Sequence, residues 1–138
     1  MPQLKLDDEP RIHLPELDAE HRSISRLAAE LKSSTAKHAP KAQINATLRE
    51  LLAEVEDHFT HEERLMRAAR YKMMAWHQGQ HDGLRRRAAE FAARIQAGDA
   101  TAGKEFYLYI KRWMRDHVAV ADNMMGAAVR NHQRGHAA

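Results

Sequence analysis

His58 and Glu62 stand four residues apart inside an apolar stripe, and no other feature of this 138-residue sequence limits its fold as much. Ile44, Leu48, Leu51, Leu52, Val55, Phe59, Leu65 and Met66 recur at steps of three and four, the pattern of an amphipathic helix. The pair occupies slots in that stripe where the period requires apolar side chains. On a helix the two lie only ~40° apart around the axis and can share one target. A buried carboxylate needs a compensating charge, and a metal ion supplies one.

The same periodicity appears in three further segments. Met1 to Glu16 carries Pro2, Pro10 and Pro15 without a helical period and reads as an extended N-terminal arm (1–16) packed on the domain. A first helix is expected from about Asp18, its N-cap, with Leu17, Ile24, Leu27, Ala28 and Leu31 inward and a weak end at Ser33-Ser34-Thr35. The second runs from Pro40 to about Ala69, and the third from Met74 to Ala97 with His77, His81, Leu84, Ala88, Phe91 and Ile95 on one face. Gly79 and Gly83 in its first turns are expected to serve close helix packing. Gly98 to Gly103 is a loop, and a fourth helix from near Lys104 directs Phe106, Ile110, Trp113, Met114, His117 and Val120 inward. The expected fold is all-α, an antiparallel up-down-up-down four-helix bundle over 17–130, followed by a flexible tail at 131–138.

Cysteine is absent, which removes disulfides, thiolate zinc sites and iron–sulfur clusters and leaves only nitrogen and oxygen donors. The net charge of +3 is small, and Arg85-Arg86-Arg87, the only dense basic run, reads as a solvated helix face with no aromatic platform for nucleic acid. No apolar run reaches the ~20 residues a membrane span requires, and Met1 to Pro10 lacks the apolar core of a secretory signal. A soluble, cytoplasmic protein is expected, with neither a nucleic-acid nor a membrane partner.

Every expected helix places metal-competent side chains on its inner face: His21 on the first, His58 and Glu62 on the second, His77 and His81 on the third, His117 and Asp122 on the fourth. Five imidazoles and two carboxylates exceed what one ion with an open position can take, and suit two ions bridged by carboxylates. His117 and Asp122 are five apart, ~140° around a regular helix, so a π-type turn between them is expected to bring both inward. His13, His38, His61, His132 and His136 lack such partners and read as surface or tail residues. Glu63 reads as a solvent-side neighbour of Glu62, and Trp76, Met73-Met74 and Met124-Met125 as core or helix-end packing.

The ordered set His21, His58-x-x-x-Glu62, His77-x-x-x-His81 and His117-x-x-x-x-Asp122 resembles that of the hemerythrin family, especially its bacterial single-domain members. The flanking Leu17-Asp18-Ala19-Glu20-His21, His58-Phe59, Glu62-Glu63-Arg64-Leu65-Met66 and the Trp113 four before His117 match as well. The resemblance implies two iron ions with a bridging oxo or hydroxo, one held by His77, His81 and His117, the other by His21 and His58, with Glu62 and Asp122 bridging. It further implies reversible dioxygen binding at the two-histidine iron, beside an oxygen pocket of Ile24, Phe59, Trp113 and Met114, and no net catalysis.

Two positions depart from the family's habit. Met114 follows Trp113 where leucine is common, and Lys72 follows Tyr71 where proline is common. The leading functional expectation is oxygen storage, delivery or scavenging by a monomer or weak oligomer, with an oxygen-consuming protein as a possible partner. The alternatives are an oxygen or redox sensor acting through a partner, and a di-iron enzyme acting on peroxide or nitric oxide.

Overall fold

Pro15, not Asp18, opens the first helix. The computed structural model describes residues 11–135, and α1 spans Pro15–Ala36. Proline suits the first helical position, where its missing N–H has no intrahelical partner to lose. Asp18 lies one turn inside, and its Oδ1 accepts a hydrogen bond from the Ile12 amide at 2.9 Å. That bond seats the described part of the expected arm, whose Ile12 and Leu14 are buried; residues 1–10 lie outside the described residues.

The remaining helices are α2 (Lys41–Ala68), α3 (Met74–Gln96) and α4 (Ala102–His117), which continues through a π-helical turn (Val118–Asp122) into α5 (Asn123–Gly135). Helix α1 packs on α2 and α4, and α3 packs on the same two, so the four rods form a ring in chain order. This is the antiparallel four-helix bundle. Ser33-Ser34-Thr35 does not end α1 early, because Thr35 Oγ1 donates back to the Leu31 carbonyl at 2.9 Å and stays helical. Helix α2 ends without glycine or proline: Arg70 takes a φ of 52°, and the Tyr71 amide closes the turn on Met66 O at 3.0 Å.

Three expectations are corrected. The segment expected to be a flexible tail continues α5 as far as Gly135, because Val129 is buried and the Arg130 guanidinium donates to Ile12 O; residues 136–138 lie outside the described residues. Gly79 and Gly83 are not close-packing sites: a Cβ on Gly79 would meet nothing within 4 Å, and one on Gly83 only the tip of Arg86. Met73, Trp76 and Met124 are exposed by 41–45% rather than packed.

Gly103 makes the tight contact instead. A Cβ there would sit 2.1 Å from Thr35 Oγ1, which is fixed to the Leu31 and Lys32 carbonyls. Gly103→Ala gains about 1 kcal/mol in helix propensity, but overpacking costs about 1–3 kcal/mol. A net loss of up to about 2 kcal/mol in a urea melt is the expected result, and a stabilised variant would contradict the contact.

Candidate metal centre

The seven polar residues of the inner stripes meet halfway along the bundle. His21 comes from α1, His58 and Glu62 from α2, His77 and His81 from α3, His117 from the end of α4 and Asp122 from the end of the π turn. All seven are at most 5% exposed. The expected i→i+5 turn is present at Val118–Asp122; it turns Asp122 back onto the face of His117 and leaves Val120, expected inward, 57% exposed. Their Nε2 and Oδ1 atoms are 3.0 Å apart.

The donors fall into two groups that share both carboxylates: His77, His81 and His117 with Glu62 and Asp122, and His21 and His58 with the same pair. Glu62 Oε1 lies 3.2 Å from His77 Nε2 and 3.0 Å from His81 Nε2, while its Oε2 lies 3.1 Å from His58 Nε2 and 3.8 Å from His21 Nε2. Asp122 repeats this, with Oδ1 at 3.0 Å from His77 Nε2 and Oδ2 at 3.3 Å from His21 Nε2. Each carboxylate therefore gives one oxygen to each group, the arrangement of a bridge.

The histidine tautomers fit metal binding. His58 Nδ1 donates to Glu20 Oε1 at 2.7 Å, His81 Nδ1 to Glu63 Oε2 at 2.9 Å, and His117 Nδ1 to Gln80 Oε1 at 2.7 Å. With the proton on Nδ1, the neutral ring presents a lone pair at Nε2. The Nε2 atoms of His21 and His58 approach to 3.1 Å, and those of His77 and His117 to 3.2 Å. Glu62 Oε2 and both Asp122 oxygens are buried and face histidine Nε2 atoms at 3.0–3.3 Å, without a well-directed hydrogen bond among the described residues. Convergent lone pairs and carboxylate oxygens in a buried site are what a cation would satisfy.

A sequence model of the hemerythrin HHE cation-binding domain matches residues 13–129. The chain belongs to the hemerythrin family. Among relatives, the bacteriohemerythrin of Stenotrophomonas maltophilia (strain R551-3) is 27% identical over 132 residues, 96% of this chain and 85% of that one. The bacteriohemerythrin of Methylococcus capsulatus is 27% identical over 79% of this chain and 82% of its own, and the myohemerythrin of Theromyzon tessulatum 25% identical over 84% and 85%. No solved structure gives a significant match. Among the described residues no helix is long and apolar enough to cross a membrane.

Three side chains that the sequence reading did not assign to the site complete this hemerythrin-family centre. Glu20, Glu63 and Gln80 are the acceptors behind His58, His81 and His117. Each sits on one helix and reaches a histidine of the next: α1 to α2, α2 to α3, α3 to α4. Glu63 is thus not a solvent-side neighbour but a clamp on His81, and Arg85 Nη2 lies 3.3 Å from the same Glu63 oxygen. His61 does not stand apart either; its Nδ1 donates to Glu20 Oε2 at 2.7 Å. The signal available in the sequence was adjacency. A residue next to an inward ligand is ~100° around the helix and faces the neighbouring helix rather than solvent.

Aromatic rings close the three-histidine side. Phe59 stacks on His81 at 3.9 Å and Trp113 on His117 at 4.1 Å. On the two-histidine side lies a cavity of about 10 Å³ lined by His21, His58 and Asp122 and by apolar side chains that include Ile24, Phe59, Trp113 and Met114. A void needs about 10–15 Å³ to hold one water-sized molecule, so this space admits one small guest.

Glu63→Gln tests the clamp. The amide is a weaker acceptor for His81, and loss of such an outer partner typically costs about 10- to 100-fold in metal affinity. Chelator competition is expected to show that loss for one ion of the pair. Equal weakening of both ions would mean that Glu63 acts on the fold instead.

Proposed function

We propose that the centre holds two iron ions and binds dioxygen reversibly, for storage, delivery or scavenging in the cytoplasm. The observation that carries this reading is an asymmetry. Two carboxylates each reach both a three-histidine and a two-histidine group, and a small cavity lined by His21, His58 and Asp122 lies beside the two-histidine group.

His77, His81 and His117 would hold one ion, His21 and His58 the other, and Glu62 and Asp122 would give an oxygen to each. The ferrous pair supplies two electrons that dioxygen takes up on binding and gives back on leaving. The second group offers one nitrogen fewer than the first, and the cavity lies beside it, so an ion held there would have room for a guest. Nitrogen and carboxylate donors without sulfur suit iron in this role.

The chain's own residues make the binding reversible. Ile24, Phe59, Trp113 and Met114 admit a small apolar guest and exclude the water and protons that would divert it to released peroxide. With ions bound in place of the Nε2 protons, Glu20 and Glu63 would keep His58 and His81 in the Nδ1–H tautomer, so that neither ring would bring a proton into the site.

Iron-loaded protein, reduced under anaerobic conditions and then exposed to air, is expected to gain a visible absorption band that disappears when oxygen is purged. Bleaching without a reversible band would overturn the reading. Sustained turnover of hydrogen peroxide or nitric oxide would favour an enzyme.

A further inference from the structure

Met114 is 4% exposed, yet it lines the same small cavity as His21, His58 and Asp122. The other cavity walls of aliphatic or aromatic character, Ile24, Val55, Phe59, Leu84, Trp113 and Val118, carry no group that peroxide oxidises as readily. Met73 and Met124 are 41% and 45% exposed, whereas Met66 and Met125 are fully buried away from this cavity. Bulk oxidant therefore meets Met73 and Met124 first, and oxidant arising at the centre meets Met114 first.

We infer that Met114 is an oxidative modification site that captures hydrogen peroxide formed in the cavity and, as its sulfoxide, closes the cavity to further oxygen. The inference rests on the dioxygen role proposed above. When binding fails to reverse, dioxygen takes one electron from each of two ferrous ions and two protons from solvent, giving hydrogen peroxide. The Met114 sulfur lone pair then attacks one peroxide oxygen, the O–O bond breaks, and the other oxygen leaves as water after proton transfer. Sulfur is oxidised by two electrons and the peroxide is reduced by two. The sulfoxide oxygen is polar and about the size of the single guest the cavity can hold, so it blocks the space until a sulfoxide reductase removes it.

Iron-loaded, reduced protein is left in air with catalase, which removes peroxide from the bulk but is too large to reach the cavity. Peptide mass mapping is expected to show Met114 oxidised on the order of tenfold faster than Met73 or Met124, the advantage of a buried partner over a diffusing one. Met114 remaining a thioether, or trailing the exposed methionines, overturns the inference. In a parallel sample without catalase, Met114→Leu, a volume-conserving change, is expected to release more peroxide into solution, and release equal to that of the natural chain would also overturn it. The absorption band recorded on the same samples keeps the two readings apart. A reversible band with intact Met114 sinks only the modification, while selective Met114 oxidation without the band sinks only the reversible binding.

Discussion

Glu62→Gln is expected to empty both metal positions at once, whereas His81→Gln empties one. Glu62 places Oε1 among His77 and His81 and Oε2 beside His58, so a single substitution removes an anionic donor from each group. Outer-sphere losses already cost about 10- to 100-fold in affinity, so removing a direct bridging donor is expected to exceed about 100-fold for each ion. The two variants differ in a countable way: after gel filtration, elemental analysis should find almost no iron on Glu62→Gln and about half the natural content on His81→Gln. One ion kept tightly by Glu62→Gln would refute the bridge. The metal-free fold should suffer less than the roughly 3–5 kcal/mol typical of a broken buried ion pair. His58, which faces Glu62 Oε2 at 3.1 Å, can shed its proton once the carboxylate is gone.

The parts of this centre that were legible in the sequence share one property: each breaks a local rule along its own helix. His21, His58, Glu62, His77, His81 and His117 stand in apolar slots, and Asp122 stands one residue too far from His117 for an α-helix. Their burial and the π turn follow from those local conflicts. Glu20, Glu63 and Gln80 break no such rule. They sit at polar positions of their own helices, and their roles exist only once helices pack and bring them to a histidine of the next rod. Helix ends show the same division. The stop after Gln96 is announced by Gly98, whose φ is 88°, but Arg70 adopts a left-handed conformation at 52° that arginine rarely favours. That stop is closed by the Tyr71 amide on Met66 O and leaves no mark in composition.

Metal loading should tighten by at least about 100-fold for each unit of pH between about 7 and 9, a factor of ten for each of two or more protons released. In the metal-free fold, burial pushes the His58 imidazole down, but the Glu62 charge and the hydrogen bonds to Glu20 and Glu62 outweigh it and lift the pKa from 6.5 to about 10. His77 is likewise opposed by burial but raised to about 9 by its bonds to Asp122 and Glu62 and by their charges. Both rings therefore hold an extra proton near neutrality, and a metal ion can take their Nε2 lone pairs only by displacing it. His21, opposed by burial but raised by its bonds to Asp122 and Glu62, can add a third proton, whereas burial lowers the pKa of His117 and leaves it neutral.

The stability of the metal-free protein should run the other way. A raised histidine pKa contributes fully below the unfolded value of 6.5 and loses that contribution as pH climbs through about 9 to 10, so the melting temperature should fall over that range. Glu62 and Asp122 mirror this in acid: burial pushes both up, but the surrounding histidines hold both below their ordinary values. Their contribution is lost as pH drops below the carboxylate range. Metal-free and zinc-loaded protein should thus show opposite slopes of melting temperature against pH above neutrality. Calorimetric titration with zinc in buffers of different ionisation enthalpy counts the protons directly. At least about two released per chain at pH 7.5 is the expected value, and no release would mean that the carboxylates stand uncompensated in the empty site.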